Sequence, residues 1–287
     1  MKSGSGRIAV ILFPGTNCEE ESLRAARLAG LEAELVRWNQ PLDAERFDGY
    51  ILPGGWSYED RVRAGAIAAR DVIMATITSE AQRGKPVLGI CNGAQVLIET
   101  GLVPGYGAGP AMALAANNLG YRCAWVRLRL QVPPTRTAFT GAFSAGEVIE
   151  LPVAHGEGRF ITEAPEVLAS LVAGQQIPFV YADAAGEPAT TFPDNPNGSV
   201  YAAAAVCNAQ GNVMALMPHP ERASWWWQHP PHRRPAGFTG RPDRLVLSAP
   251  AHAIFRSMAA AIAATAATGV QPASAASLTP AAKLRRC

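Results

Sequence analysis

Cys91 stands in Gly89-Ile90-Cys91-Asn92-Gly93, with a glycine two residues before it and another two after it, at the end of the apolar stretch Pro86-Val87-Leu88. Small residues at this spacing mark a sharp strand-turn-helix, the nucleophile elbow, with G-x-C-x-G in place of the commoner G-x-S-x-G. The spacing suggests a backbone bent too sharply for side chains on either flank. Such a turn lifts the sulfur clear of the sheet, and a helix starting near Gly93 directs its free N–H groups at it, which favours the thiolate. Taken alone, the pentapeptide reads almost as well as a buried cysteine ending a core strand.

A cysteine nucleophile needs a base, and the base needs an orienting group. Of the five histidines, His219 stands out, because it lies in Met217-Pro218-His219-Pro220-Glu221-Arg222-Ala223 directly after an apolar run. The two prolines exclude a helix and hold the backbone extended, so residues two apart project to one side. Glu221 can then hold one ring nitrogen of His219 while the other faces Cys91. A proline-stiffened turn with an exposed ion pair is the bland alternative. A third stretch, Ile51-Leu52-Pro53-Gly54-Gly55, ends a strand in paired glycines. Glycine lets backbone N–H groups approach a ligand, and one of these with the N–H of Asn92 makes an oxyanion hole. A plain glycine turn is the competing reading, but three such features at one sheet edge reinforce one another.

The elements that must position these residues alternate. Arg7 to Phe13 is a continuous apolar run, as in a strand covered on both faces. Glu19, Glu20 and Glu21 suit the positive end of a helix that closes at Gly30. Further strands follow at Ala33–Trp38 and Gly49–Pro53, then a helix over Arg61–Arg83 with Ala66, Ala69, Ile73 and Ile77 on one face. Gly84 stops that helix and Pro86 opens the next strand. The rhythm predicts an α/β fold, an open, mostly parallel sheet flanked by helices on both faces. Cys123–Leu130 alternates like a half-exposed strand, and Ser199–Pro218 reads as two strands joined at 208–212. Both suggest an antiparallel strand addition.

Residues 7–267 are expected to form one domain, with an irregular Pro/Arg/Trp-rich loop at about 225–248 and a closing helix over Pro250–Ala267. Residues 1–6 and the Ala/Ser/Pro-rich 268–287 read as disordered. The 287 residues, 48% hydrophobic, suffice for a large core. A net charge of +2 without a basic run before the last residues implies no nucleic-acid partner. Five cysteines without C-x-x-C spacing argue against a disulfide scaffold or a zinc site, so no metal is expected and a reducing cytoplasm fits. Nothing approaches the roughly 18 apolar residues of a membrane helix, and Ile8–Phe13 is too short for a signal peptide.

Together, Gly89–Gln95, Leu52–Gly55 and Pro218–Glu221 resemble the class I glutamine amidotransferases, which have a flavodoxin-like fold and a triad of Cys, His and Glu in that chain order. More narrowly, Gly15–Ser22, Gly54–Ala69, Gly89–Gly105, Ala154–Phe160 and Leu216–Ala223 resemble the glutaminase subunits of phosphoribosylformylglycinamidine synthase. The resemblance implies that Cys91, His219 and Glu221 hydrolyse glutamine through a glutamyl thioester, with the N–H groups of Gly55 and Asn92 holding the oxyanion. Gln95 and Gly54 would bind glutamine, and His155 is a candidate for binding or for an interface. The chain lacks a G-x-x-x-x-G-K-[ST] loop. ATP and Mg are therefore expected not here but on a large synthetase partner, with a small third subunit, and ammonia passes to that partner for purine biosynthesis.

Against the family pattern, Glu59 stands where glycine is more frequent, adding charge and bulk beside the site. Asn117–Trp125 matches loosely, and the 225–248 loop and the tail are extra. Trp225, Trp226 and Trp227 are either an exposed interface patch or packed on this chain. Two rival readings remain at this level. One is another elbow-cysteine hydrolase, although such enzymes usually place the histidine beside the cysteine. The other is a non-enzymatic regulatory module, against which the intact triad argues.

Overall fold

Ile8, Ala9, Val10 and Ile11 are each 0% exposed, although successive strand residues point to opposite faces, so this strand is covered on both sides. The computed structural model describes residues 6–107, 109–239 and 247–268. In chain order these form β1 (Arg7–Leu12), α1 (Glu19–Leu28), β2 (Glu32–Arg37), β3 (Gly49–Leu52), α2 (Val72–Gln82), β4 (Val87–Ile90) and α3 (Asn92–Glu99). There follow β5 (Ala113–Ala115), β6 (Arg122–Leu130), β7 (Val148–His155), β8 (Arg159–Ile161), α4 (Pro165–Ala173), β9 (Phe179–Ala182), β10 (Ala205–Cys207), β11 (Val213–Leu216) and α5 (Ala253–Thr268). The terminal residues 1–5 and 269–287, expected to be disordered, lie outside the described residues, as does 240–246 within the loop after Trp225.

The main sheet has the order β10-β11-β4-β3-β1-β2, parallel throughout except for β10, which runs antiparallel to β11 at the edge. The order reverses between β1 and β3, and ligands in open α/β sheets bind outside the carboxyl ends of the strands near such a switch point. Cys91 follows β4, Gly54 and Gly55 follow β3, and His219 follows β11, so three adjacent strands deliver the site.

Two expectations need correction. Cys123–Leu130 is a strand, but it pairs in a separate antiparallel sheet of order β7-β6-β9 rather than joining the main one. Arg61–Arg83 is not one helix: a 3-10 turn at Ala68–Arg70 precedes α2, which starts at Val72. The backbone shows why: Val62 and Gly65 take left-handed φ of 72° and 78°, and Asp71, between the turn and α2, is extended at φ −61° and ψ 145°, so no continuous right-handed helix can run through.

Gly89 and Gly93 are needed for a different reason than the sequence suggested. Neither has a positive φ; it is Cys91 that takes φ 50° and ψ −105°. A Cβ on Gly89 would come within 2.5 Å of the Gly93 carbonyl oxygen, and one on Gly93 would overlap the Leu52 carbonyl. The glycines let α3 press against β4 and β3. Gly93→Ala is therefore expected to destabilise the fold by about 1–3 kcal/mol. This would appear as a lower urea midpoint with an unchanged slope.

Candidate active site

Cys91 is pinned through its backbone. Its N–H donates to Leu216 O (2.8 Å) on β11, and its carbonyl accepts from the N–H groups of Ala94 (3.0 Å) and Gln95 (3.1 Å). The strained φ between these anchors turns the side chain away from the strand, the signature of an elbow. The sulfur lies 3.8 Å from the Ala154 carbonyl just before the end of β7. It borders a cavity of about 180 Å³ shared with His219, Gln95, Gly55 and His155.

His219 is fixed by its own N–H, which donates to Pro152 O of β7 (2.9 Å). The exclusion of a helix by the two prolines is corrected: Pro220 opens a 3-10 turn over Pro220–Arg222, at the position where a missing N–H costs nothing. That tight turn still brings the pair together, with His219 Nδ1–H donating to Glu221 Oε1 at 2.6 Å. The alternative of an exposed ion pair is overturned, since His219 is 2% exposed and Glu221 0%. His219 Nε2 and Glu221 Oε2 have no hydrogen-bond partner among the described residues. Burial alone would depress the imidazolium, but the Glu221 carboxylate and then the Cys91 sulfur outweigh it, holding His219 well above its ordinary value. The charged form of His219 is thus favoured by the same carboxylate that orients the ring, next to a sulfur.

Gly54 lies behind the cavity rather than in its lining. A Cβ there would come 2.8 Å from His219 Cε1 and 3.4 Å from Cys91 Cβ, so its hydrogen makes room for base and nucleophile. Gly55 borders the cavity. The flanking bonds, Asn17 N–H to Gly54 O (3.1 Å) and Trp56 N–H to Gly15 O (2.9 Å), leave Gly55 and Thr16 as a non-hydrogen-bonded pair. The N–H of Gly55 therefore points away from Thr16, and that of Asn92, the first of α3, has no acceptor within its helix. The Asn92 side chain accepts from Ser57 N–H (3.1 Å) and donates to Gln95 Oε1 (2.9 Å). Gln95 in turn donates through Nε2 to Glu157 O at 2.6 Å.

His155 is 3% exposed and packs against Asn117. Asn117 Oδ1 accepts from Gly158 N–H (3.0 Å), while its Nδ2 donates to Gly120 O (3.0 Å) and His155 O (2.8 Å) and lies 3.2 Å from His155 Nδ1. Burial, with the His219 charge second, lowers His155 to about 3, so the ring stays neutral.

Sequence reasoning missed several residues here. Cys18, the residue before α1, lines the cavity with its sulfur 4.0 Å from His219 Nδ1 and its thiol donating to Asn17 Oδ1 (3.2 Å). Cys18, His219 and Glu221 place one ligand-type atom each within 4.8 Å of one another. Asp60, Glu157, Tyr121 and Arg222 also border the cavity. Cys18, Asp60, Glu157 and Arg222 lie in the motif stretches Gly15–Ser22, Gly54–Ala69, Ala154–Phe160 and Leu216–Ala223, but only as motif, with no contact attached. Glu59 adds no bulk to the site: its side chain is 76% exposed and pairs with Arg61 at 2.8 Å. Of the three tryptophans, Trp225 packs against the core and Trp226 against His229 (4.9 Å between rings), while Trp227 is 46% exposed.

Comparison with known proteins agrees with this geometry. Residues 5–260 match the family model of the CobB/CobQ-like glutamine amidotransferase domain. Phosphoribosylformylglycinamidine synthase subunit PurQ of Methanothrix thermoacetophila is 45% identical over 81% of this chain and 92% of its own length. The PurQ subunit of Thermomicrobium roseum is 48% identical over 76% of this chain and 87% of its own. Among solved structures, a chain of PurLQS from Thermotoga maritima superposes with TM-score 0.67 at 34% identity, covering 88% of this chain and 97% of that one. By domain, sequence and fold alike, the chain belongs to the PurQ family, the glutamine amidotransferase subunits of phosphoribosylformylglycinamidine synthase.

Proposed function

We infer that this chain hydrolyses glutamine to glutamate and hands the ammonia to a synthetase partner, which uses it with ATP to convert formylglycinamide ribonucleotide to formylglycinamidine ribonucleotide in purine biosynthesis. The observation that carries the chemistry is the buried His219–Glu221 pair bordering the cavity into which the Cys91 elbow points. In the first step the Cys91 sulfur attacks the side-chain amide carbon of glutamine. The resulting oxyanion accepts from the N–H groups of Gly55 and Asn92, placed on either side of the elbow. His219, already protonated, delivers its Nε2 proton to the departing nitrogen, and ammonia leaves a glutamyl thioester. The neutral ring then takes a proton from water, which attacks the thioester and releases glutamate, leaving the Cys91 sulfur anionic beside the reprotonated ring, as at the start of the cycle. Glu221 holds Nδ1–H throughout and so keeps Nε2 available.

ATP and Mg belong on the partner in this reading, which fits the absence of a phosphate-binding glycine-lysine loop in the sequence. The PurLQS assembly of Thermotoga maritima unites three subunits by its name, and the same partners, a large synthetase and a small third subunit, are assigned here. A cytoplasmic setting suits the four free cysteines among the described residues, and no helix there is long and apolar enough to cross a membrane.

The test is glutamate release from glutamine by the chain with and without its synthetase, ATP and formylglycinamide ribonucleotide, with Cys91→Ser as control. Release that rises with the partner and vanishes in the variant is expected. No release under any condition would overturn the glutaminase reading in favour of a regulatory module or a hydrolase of another substrate.

A further inference from the structure

Cys18 is 1% exposed, and the glutaminase chemistry leaves it unused. Its sulfur lies 4.0 Å from His219 Nδ1, which is itself 2.6 Å from Glu221 Oε1. One sulfur, one ring nitrogen and one carboxylate oxygen thus gather within 4.8 Å of one another. Gly54 makes the meeting possible: a Cβ there would come 3.2 Å from the Cys18 sulfur and 2.8 Å from His219 Cε1.

Thiolate, imidazole and carboxylate are a ligand set that suits zinc, and the sulfur disfavours magnesium and calcium. Tetrahedral zinc, with bonds of about 2.3 Å to sulfur and about 2.0–2.2 Å to nitrogen and oxygen, sets sulfur and nitrogen about 3.6 Å apart and nitrogen and oxygen about 3.4 Å apart. Against the 4.0 Å and 2.6 Å found here, shifts of less than about 1 Å at the side-chain ends complete that geometry. Thiolate and carboxylate together also neutralise a divalent ion.

A second, independent mark of a ligand is Glu221 Oε2. The residue is 0% exposed, and this oxygen has no hydrogen-bond partner among the described residues. A buried carboxylate oxygen without a donor calls for one, and a cation satisfies it. Arg222 borders the cavity too, but its guanidinium reaches Glu21 at 3.6 Å. Cys18 and His219 both line the cavity, so an ion can enter by the substrate's route.

We propose that Cys18, His219 and Glu221 form an inhibitory site for zinc or a similarly thiophilic divalent cation. The ion is a visitor, not a resident cofactor. It replaces the Cys18 thiol proton, which now points to Asn17 Oδ1, and the Nδ1 proton of His219; both go to solvent. The carboxylate that orients the ring turns to the metal, and hydrolysis stops until a chelator withdraws the ion. The inhibition rests on the glutaminase reading; the binding does not.

The experiment titrates zinc chloride against glutamine hydrolysis by the intact assembly. Zinc is expected to abolish hydrolysis, EDTA to restore it, and calcium chloride to have no effect. Changes in the outer shell of a metal site already cost about 10–100-fold in affinity, so Cys18→Ala and Cys18→Ser should each weaken zinc inhibition about 100-fold or more, read against the variant's own zinc-free rate. Equal inhibition of the parent and both variants would overturn the site. Binding is read separately with cobalt chloride on the Cys91→Ser chain, which keeps all three ligands. A thiolate-to-cobalt charge-transfer band that disappears when Cys18→Ala is added supports the site; no band, or the same band in both chains, would overturn it. If the unmodified assembly fails to turn over glutamine, the glutaminase reading falls and the cobalt band still decides the site.

Discussion

Cys91→Ala is expected to lower glutamine hydrolysis at least about 10⁴-fold, because triad nucleophiles act as part of a unit and little of the rate survives their loss. The substitution removes a side chain that is 6% exposed at the top of the elbow and leaves the backbone anchors to Leu216, Ala94 and Gln95 in place. Stability should therefore change little, and the KM of any residual activity should stay near that of the parent. The informative control is free ammonia. If this chain only supplies ammonia, the assembled synthetase should still make product from an ammonium salt when Cys91 is absent. Loss of both activities would mean that the cysteine supports the assembly rather than the chemistry.

Glu221→Gln should cost kcat about 10³–10⁴-fold with the fold intact. The amide is isosteric, but it presents a weaker, uncharged acceptor to His219 Nδ1–H, or turns its NH₂ to the ring and selects the wrong tautomer. Removing the carboxylate also leaves burial as the dominant influence on His219. The ring pKa should fall, so that the fraction of imidazolium at neutral pH shrinks. The pH–rate profile checks this. Above the ring pKa the proton needed by departing ammonia is missing, so in the variant the basic limb of the thioester-forming step moves to lower pH. A drop in kcat with an unmoved profile would show that Glu221 positions the ring without setting its charge.

Much of this site was legible in the sequence because its parts are local. The elbow needs five consecutive residues, and His219 with Glu221 needs three, so short-range sterics encode them. The parallel sheet was legible from unbroken apolar runs such as Ile8–Ile11. What escaped are features that depend on distant backbone meeting. Cys18 and His219 are 201 positions apart, and nothing in the composition of Gly15–Ser22 says which face of the molecule it joins. A helix was expected to start at Arg61, just after Asp60, because alanine and isoleucine spacing carries no information about φ; four left-handed residues in the stretch 58–62 are invisible to it. The glycines around Cys91 were correctly marked as special, but for curvature rather than for the close approach of α3 to β4 at Gly89 and of Leu52 at Gly93 that requires them. Pro220 likewise ruled out an α-helix interior without ruling out a single tight turn.

The order β11-β4-β3 has a consequence for how the activity can be adjusted. Neighbouring strands are held at about 4.8 Å by their hydrogen bonds. Base, nucleophile and oxyanion donor are mounted on three adjacent rails of that ladder, and their spacing is inherited from it. No docking event can retune these intervals without shearing a six-stranded sheet. The Tyr58–Val62 and Gly156–Gly158 segments, by contrast, belong to no strand, so a synthetase that accelerates this chain has leverage on substrate capture and on the shelter of ammonia, while the reacting triad stays as rigid as the sheet that carries it.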